Sequence, residues 1–148
     1  MTLLTFIIPV RHQQNARDWS HLKANLSQTI ASIANQTQSN WRGIIVANEG
    51  ADLPPLPEEF SVTRVTFPPN DIHERGNATE ADFLDAFRFD KGRRVLSGML
   101  EARDSRFFMI VDDDDFVSAR IAKHVSEHPD ESGWVVERGF IWSDGGSL

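Results

Sequence analysis

The sequence lacks several features that would identify common classes of protein. It contains no cysteine, which excludes disulfides and thiolate metal sites. No apolar run approaches the roughly 20 residues of a membrane span, and the apolar start at 3–8 is too short for a signal peptide and is broken by Pro9. We therefore expect a cytoplasmic protein without a membrane span. Neither G-x-G-x-x-G nor G-K-[ST] is present, which argues against dinucleotide oxidoreductases and P-loop enzymes.

Net charge and chain length further limit the kinds of protein that fit this sequence. The formal net charge is −7 and no basic face is evident, so we expect no nucleic-acid partner. A chain of 148 residues predicts a single domain, and 40% apolar with 25% charged residues is typical of a globular one.

Strand and helix patterns alternate along the chain. The predicted strands are 3–10, 41–47, 61–67 and 107–111, followed by two short candidates at 133–136 and 140–142. The predicted helices are 20–35, 81–89, 93–103 and 118–128. This order indicates an α/β fold with an open, mostly parallel, twisted sheet and helices on both faces.

Three details of the helices follow from spacing. Leu22, Leu26, Ile30 and Ile33 form one apolar stripe, and Ser20 is the candidate cap of that helix. Before the second helix, Asn77 and Glu80 have the spacing of a capping pair. The DKG segment at 90–92 is expected to interrupt the chain between two helices. The predicted core residues there are Phe83, Leu84, Phe87, Val95, Leu96, Met99 and Leu100.

The strand predicted at 107–111 precedes the strongest chemical signal. Its five apolar residues are typical of a strand buried on both faces, and four aspartates follow directly. Crowded carboxylates repel one another unless a cation lies among them, and their hard oxygens suit Mg²⁺, Mn²⁺ or Ca²⁺. The segment therefore predicts a metal site, and the alternative is a solvated acidic turn.

Three strand ends are expected at the same edge of the sheet. They supply Pro9, Val10 and Arg11, then Asn48 and Glu49, then the aspartates at 112–115. Ligands of open α/β folds bind at this edge. A nucleotide crevice would need cations for its phosphates, which Lys91, Arg93 or Arg94 could supply. The alternative for those three residues is a solvated basic turn.

Three segments together resemble the nucleotide-sugar half of a family 2 glycosyltransferase with the GT-A fold. They are FIIPV at 6–10, LSQTIASIANQT at 26–37 and MIVDDDD at 109–115. The last resembles the D-x-D motif of that family. The resemblance implies a transferase that uses a nucleoside-diphosphate sugar and Mn²⁺ or Mg²⁺. It implies metal ligands at Asp112, Asp114 and Asp115, with Asp112 also on the ribose.

The resemblance has two departures. The family usually has two acids after the second strand, one of which binds the base, whereas this chain has NEGA at 48–51. Glu49 is the candidate for that role. The family also has a following acceptor region that supplies the catalytic base. That region is expected to be absent or minimal here, so the acceptor and base remain unknown, with Asp144 the only late candidate base.

Other readings remain open. Asp113, Asp115 and Val117 fit the D-x-D-x-[TV] segment of haloacid dehalogenase-like phosphohydrolases, with Asp113 as nucleophile. A non-catalytic nucleotide- and metal-binding domain of the same fold is a third class. An unpaired strand at 140–142 would also predict self-association through that edge.

Overall fold

The computed structural model describes residues 1–72 and 78–143, and they form an open α/β sheet. Its strands are β1 (Leu4–Pro9), β2 (Trp41–Asn48), β3 (Phe60–Val65) and β4 (Phe107–Ile110). They lie in the order β3-β2-β1-β4, and each neighbouring pair is parallel. The helices are α1 (Trp19–Ala34), α2 (Glu80–Glu101) and α3 (Ile121–Glu127), with a short 3-10 helix at Gln13–Asn15. The expected α/β class is confirmed, and the arrangement is consistent with a Rossmann-like fold.

Helix α1 covers one face of the sheet with its predicted stripe. Leu22, Leu26, Ile30 and Ile33 are buried in the main core together with Phe6 and Ile8. The helix begins earlier than predicted, because Asp18 rather than Ser20 is its cap. The Asp18 side chain accepts a hydrogen bond from the backbone N–H of His21, which otherwise has no partner within the helix.

Helix α2 is one continuous helix of 22 residues, so the interruption predicted at 90–92 is wrong. Asp90 accepts hydrogen bonds from Arg93 and Arg94, three and four residues further along the same helix. Such pairs stabilise a helix and here bracket the unfavourable Gly92. Thr79 is the cap of α2, since its hydroxyl accepts from the backbone N–H of Asp82. The predicted partner Asn77 lies outside the described residues.

The face of α2 that packs on the sheet also differs from the prediction. Arg94 and Gly98 are the buried residues of this helix, whereas Leu96, Met99 and Leu100 are exposed and Val95 is half-buried. A Cβ atom added at Gly98 would lie 2.8 Å from Ile7 Cγ2 in β1, so the helix backbone approaches the sheet closely there. Phe83 and Leu84 are half-buried and Phe87 is exposed, so these three are not core residues.

Strand β4 is the outermost described strand on its side, which corrects the prediction of a strand buried on both faces. Phe107, Phe108 and Met109 are half-buried, and Ile110 is exposed, with half of its surface accessible. Residues 129–143 form neither helix nor strand, so the short strands predicted at 133–136 and 140–142 are not observed. Instead, the Trp134 ring packs 4.9 Å from the Phe107 ring. The prediction of self-association depended on a strand at 140–142, and the structure has no strand there.

None of the helices in the described part of the chain is both long enough and apolar enough for a membrane span.

Candidate functional site

The sheet places a crevice between the carboxyl ends of β1 and β4. After β1 the chain passes through α1 to β2 on one side, and it returns through α2 on the other face to β4. The two faces are distinguished by alternate residues of β1, because Ile8 packs in the core with α1 whereas Ile7 faces Gly98 of α2. Open α/β sheets bind ligands at such a reversal of strand order, outside the carboxyl ends of the strands.

A cavity of about 330 Å³ lies at this position. Ligand pockets in proteins start at roughly this size. The strand ends supply five of its lining residues: Pro9, Arg11, Asp112, Asp113 and Asp114. Helix α2 supplies five more, which are Phe83, Phe87, Asp90, Lys91 and Arg94, and the loops add Asn15 and Asn70.

The structure brings together most of the site residues predicted from sequence. Pro9, Arg11, Lys91, Arg94, Asp112 and Asp114 all line the cavity. Three others do not. Val10 is fully buried in the core, and neither Asp115 nor Glu49 is part of the cavity wall. The Glu49 side chain is exposed beyond β2, where its backbone carbonyl accepts a 3.4 Å hydrogen bond from Gln13 Nε2.

Two basic residues of α2 are held by carboxylates at the cavity. Lys91 Nζ lies 2.5 Å from Asp112 Oδ1, which links α2 to the segment after β4. Arg94 Nε donates to Asp90 Oδ2 at 2.8 Å, and Arg94 is only 1% exposed. Arg94 Nη1 is buried without a hydrogen-bond partner among the described residues. A buried charged donor without an acceptor is costly, so this group favours a ligand that can accept a hydrogen bond from it.

Asp90 forms ion pairs with two arginines, Arg93 and Arg94. Burial opposes its ionisation, but the hydrogen bonds from Arg94 and Arg93 outweigh that effect, so the pKa of Asp90 lies below its ordinary value. Arg93 also stacks on Phe67, with its Cζ atom 4.3 Å from the ring centroid. One carboxylate thus faces two guanidinium groups, so Asp90, Arg93 and Arg94 together carry a net positive charge.

His12 lies close enough to Arg94 and Asp90 for their charges to affect its pKa. Burial and the nearby Arg94 guanidinium lower the pKa of His12, and Asp90 partly offsets them. Its Nδ1 atom accepts a hydrogen bond from the backbone N–H of Gln14, which requires that nitrogen to be unprotonated. His12 is therefore neutral near pH 7 and adds no further positive charge.

The aspartates after β4 differ in how deeply they are buried. Asp113 is 7% exposed, and burial raises its pKa to about 6 despite the nearby Arg11, with Asp114 and Asp112 adding to the increase. Burial and the same two neighbours also raise the pKa of Asp115. Asp113 and Asp115 therefore ionise less easily than isolated carboxylates, and a cation near them would favour their charged forms.

The donor set suits a cation held jointly by protein and ligand. Within residues 1–72 and 78–143, no three His, Asp or Glu side chains are arranged to hold a metal by themselves. Asp112 and Asp114 nevertheless line the same cavity. Mg²⁺ commonly uses one or two carboxylates together with phosphate oxygens and waters rather than a complete protein cage. The residues therefore fit a cation that arrives with a phosphorylated ligand.

A second, more open cavity adjoins the first. It shares Arg11, Asn15, Phe83, Asp113 and Asp114 with the first cavity. Its further wall comes from residues around the start of α1, including Arg17, His21 and Asn25. Two molecules bound in the two cavities would therefore meet at the aspartates.

Sequence reasoning missed the aromatic and amide residues of the cavity. The apolar pattern predicts core positions for Phe83 and Phe87, and nothing in the sequence distinguishes Asn15 and Asn70 from other loop residues. The signal was present in α2, where Phe83, Phe87, Lys91 and Arg94 recur at helical spacing on one face. The prediction of two helices separated at 90–92 places these residues on different helices, so their shared face does not show in it. The amides join two loops, since Asn15 Nδ2 donates to the Asn70 carbonyl at 2.9 Å.

No family model matches this chain, and no curated protein or solved structure matches it either.

Proposed function

We propose that the chain binds a nucleoside-diphosphate sugar and serves as the donor-binding part of a metal-dependent glycosyltransferase. The observation that carries the proposal is the cavity at the reversal of strand order, where a buried arginine and two accessible aspartates face the same space. Cationic donors for phosphate oxygens and carboxylates for a cation are the two groups that a metal diphosphate requires. A GT-A arrangement of the domain is part of this proposal.

The charges that line the cavity favour one orientation of the proposed ligand. The diphosphate would lie between the α2 wall and the aspartates, where Arg94 Nη1 and Lys91 Nζ can donate to its oxygens. Phe83 and Phe87 provide apolar surface beside these donors. The nucleoside would extend past β1 toward the end of β2, where Glu49 is exposed.

The chain's own residues would act mainly by binding and orienting the donor. Asp112 and Asp114 would hold the cation, which neutralises charge on the departing diphosphate when it is bound. Arg94, held by Asp90, would fix one phosphate oxygen in a buried position. The adjoining cavity would admit an acceptor next to Asp113 and Asp114. None of these residues is assigned as the base that would deprotonate the acceptor, so we expect weak or no transfer by these residues alone.

The phosphohydrolase alternative requires Asp113 as an ionised nucleophile. Asp113 is buried, and burial raises its pKa to about 6, so a nucleophile at this position would be ionised only above that pH. The binding-domain alternative shares every ligand contact with the proposal and differs only in turnover.

The test is titration calorimetry with a panel of nucleoside diphosphates, with and without Mn²⁺. We expect Mn²⁺ to increase affinity, and Asp114→Ala to abolish the increase. Asp130→Ala, an exposed acid distant in sequence from the aspartates after β4, is the matched control and should behave as the parent chain. Equal affinity with and without metal in the parent would overturn the metal role. A transfer and hydrolysis assay with nucleoside-diphosphate sugars then separates an enzyme from a binding domain.

A further inference from the structure

Two histidines lie side by side at the end of α3. His124 is in the last turn of this helix, and His128 is the first residue after it. Their imidazole rings have centroids 4.4 Å apart and planes inclined by 36°, so both rings are on the same side of the chain. Both side chains are exposed, and neither lines the cavities described above. The pair is therefore separate from the proposed donor site.

A hydrogen bond fixes which nitrogen of His128 is available to a ligand. Its Nδ1 atom lies 2.8 Å from the backbone carbonyl oxygen of His124. A carbonyl oxygen can only accept, so Nδ1 carries the proton, and Nε2 of the neutral ring keeps a free lone pair. Histidines that bind metals usually donate their other nitrogen to a carbonyl or carboxylate oxygen in this way, which orients the ring and makes it a more basic ligand.

An aromatic neighbour holds the ring of His124. The Trp134 ring lies 5.6 Å from it in an edge-to-face arrangement, and Trp134 also packs against Phe107 of β4. Ordering a side chain costs conformational entropy, so a ring that is already packed loses less of it when a ligand binds. Both imidazole rings are thus partly ordered before a ligand arrives.

We propose that His124 and His128 together bind Cu²⁺ or Zn²⁺, with water completing the coordination of the ion. Histidines four residues apart bind zinc in helices with the H-E-x-x-H pattern. Val125 stands here in place of the glutamate that acts as general base in that pattern, so this site binds metal without the protease chemistry. A tetrahedral ion with bonds of roughly 2.0 Å separates two nitrogens by about 3.3 Å, which ring centroids 4.4 Å apart permit.

The ligand type distinguishes this site from the aspartates after β4. Imidazole nitrogen suits Cu²⁺, Zn²⁺ and Ni²⁺, whereas carboxylate and phosphate oxygens suit Mg²⁺ and Mn²⁺. Among these ions Cu²⁺ should bind the pair most tightly. No third His, Asp or Glu side chain in the part of the chain that the structure describes is arranged with the pair, so the ion keeps open positions for water. The proposal does not depend on the proposed function.

The direct test is titration calorimetry of the whole chain with Cu²⁺ and Zn²⁺ in a weakly coordinating buffer. His124→Gln and His128→Gln should each weaken binding by about 10-fold or more, because even hydrogen-bond partners of metal ligands contribute about 10–100-fold. His12→Gln removes a histidine that lies outside α3 and should leave the affinity unchanged. The absence of cysteine removes thiolates as competing ligands. Equal affinity in the parent and in both α3 variants would overturn the proposal and leave the pair as a contact at the helix end.

Fluorescence locates the bound ion independently. Cu²⁺ is paramagnetic and quenches indole emission at short range, and the Trp134 ring packs against His124. Titration of the parent with Cu²⁺ should therefore quench its emission with the midpoint found by calorimetry. Trp134→Phe should lose most of the quenching and keep the affinity, whereas Trp19→Phe, on α1, should retain the quenching. Quenching that is unchanged in Trp134→Phe would place the ion elsewhere and overturn the site.

Discussion

Lys91 Nζ lies 2.5 Å from Asp112 Oδ1, and this ion pair joins the cavity-facing side of α2 to the first aspartate after β4. Both side chains remain partly exposed, so solvent screens the pair and a ligand can compete for either partner. In the proposed complex, the cation would take Asp112 and the diphosphate would take Lys91. The ion pair thus holds both groups near the positions they would need when the metal diphosphate arrives.

Replacement of Lys91 separates these two roles. Lys91→Met should strengthen binding of Mn²⁺ alone, because Asp112 loses a competing cation, and should weaken binding of inorganic diphosphate by about 10-fold, which corresponds to about 1.4 kcal/mol. Titration calorimetry measures both. Lys123→Met is the matched control, since Lys123 pairs with Glu127 on α3 outside the cavity. A change of the same sign for both ligands would contradict separate roles for Lys91.

The buried Asp113 should make stability depend on pH in an unusual direction. Its pKa is about 6 in the folded protein and 3.8 in the reference state. The folded state therefore keeps a proton that the unfolded state loses, and stability falls as pH rises from about 4 to 6. Asp113→Asn removes this cost, so we expect it to raise the free energy of unfolding at pH 7.5 by up to about 3 kcal/mol.

The comparison is made by urea unfolding in EDTA, because a bound cation would itself favour the ionised form. The gain from Asp113→Asn should largely disappear at pH 4, where the parent aspartate is protonated in the folded state. Asp130→Asn, at an exposed position, should leave the free energy of unfolding unchanged at both values. A gain of equal size at pH 4 and 7.5 would show that the substitution acts through packing.

The sequence was sufficient to predict an element correctly where a single pattern of apolar residues dominated its segment. The stripe from Leu22 to Ile33 and the apolar runs of β1 and β2 specify a buried helix and buried strands, and both are observed. It was insufficient in α2, because the hydrogen bonds from Arg93 and Arg94 to Asp90 hold the helix across Gly92. An apolar run also cannot distinguish a central strand from β4 at an edge. Parallel strand order was enough to predict that Arg11 and the aspartates lie close together. The part of the cavity formed by α2 could not be predicted, because its residues share one face only when the helix is uninterrupted.

The close approach of α2 to the sheet should be sensitive to a single methyl group. Gly98→Ala would place Cβ 2.8 Å from Ile7 Cγ2 and 3.1 Å from Val46 Cγ2, so one of the packed elements must move. Overpacking of this kind costs about 1–3 kcal/mol, partly offset by the better helix propensity of alanine. Gly92→Ala in the same helix meets no described atom and should instead stabilise by roughly 1 kcal/mol.

Thermal or urea unfolding of these two variants measures the difference. Opposite signs are expected, because the same substitution is made in a packed and in an open position. Stabilisation by both variants would mean that α2 lies further from β1 and β2 than the structure indicates.

Glu49 allows the nucleoside end of the ligand to be tested apart from its phosphates. It follows β2, and its carboxylate is exposed beyond the cavity wall, away from the α2 cations. In the proposed orientation it would accept a hydrogen bond from the base or ribose. Glu49→Ala should therefore weaken binding of nucleosides and nucleoside diphosphates by about 10-fold, the value of one charge-assisted hydrogen bond. Binding of inorganic diphosphate should remain nearly unchanged.

Glu49→Gln keeps the length and hydrogen-bonding ability of the side chain, so partial recovery with this variant would identify the contact as a hydrogen bond. Glu59→Ala, an exposed acid just before β3, controls for the change in net charge. If nucleoside and inorganic diphosphate weaken alike, Glu49 acts through the metal or through folding. If neither weakens, the nucleoside does not extend past β2, and the aromatic pair Phe83 and Phe87 becomes the remaining surface for the base.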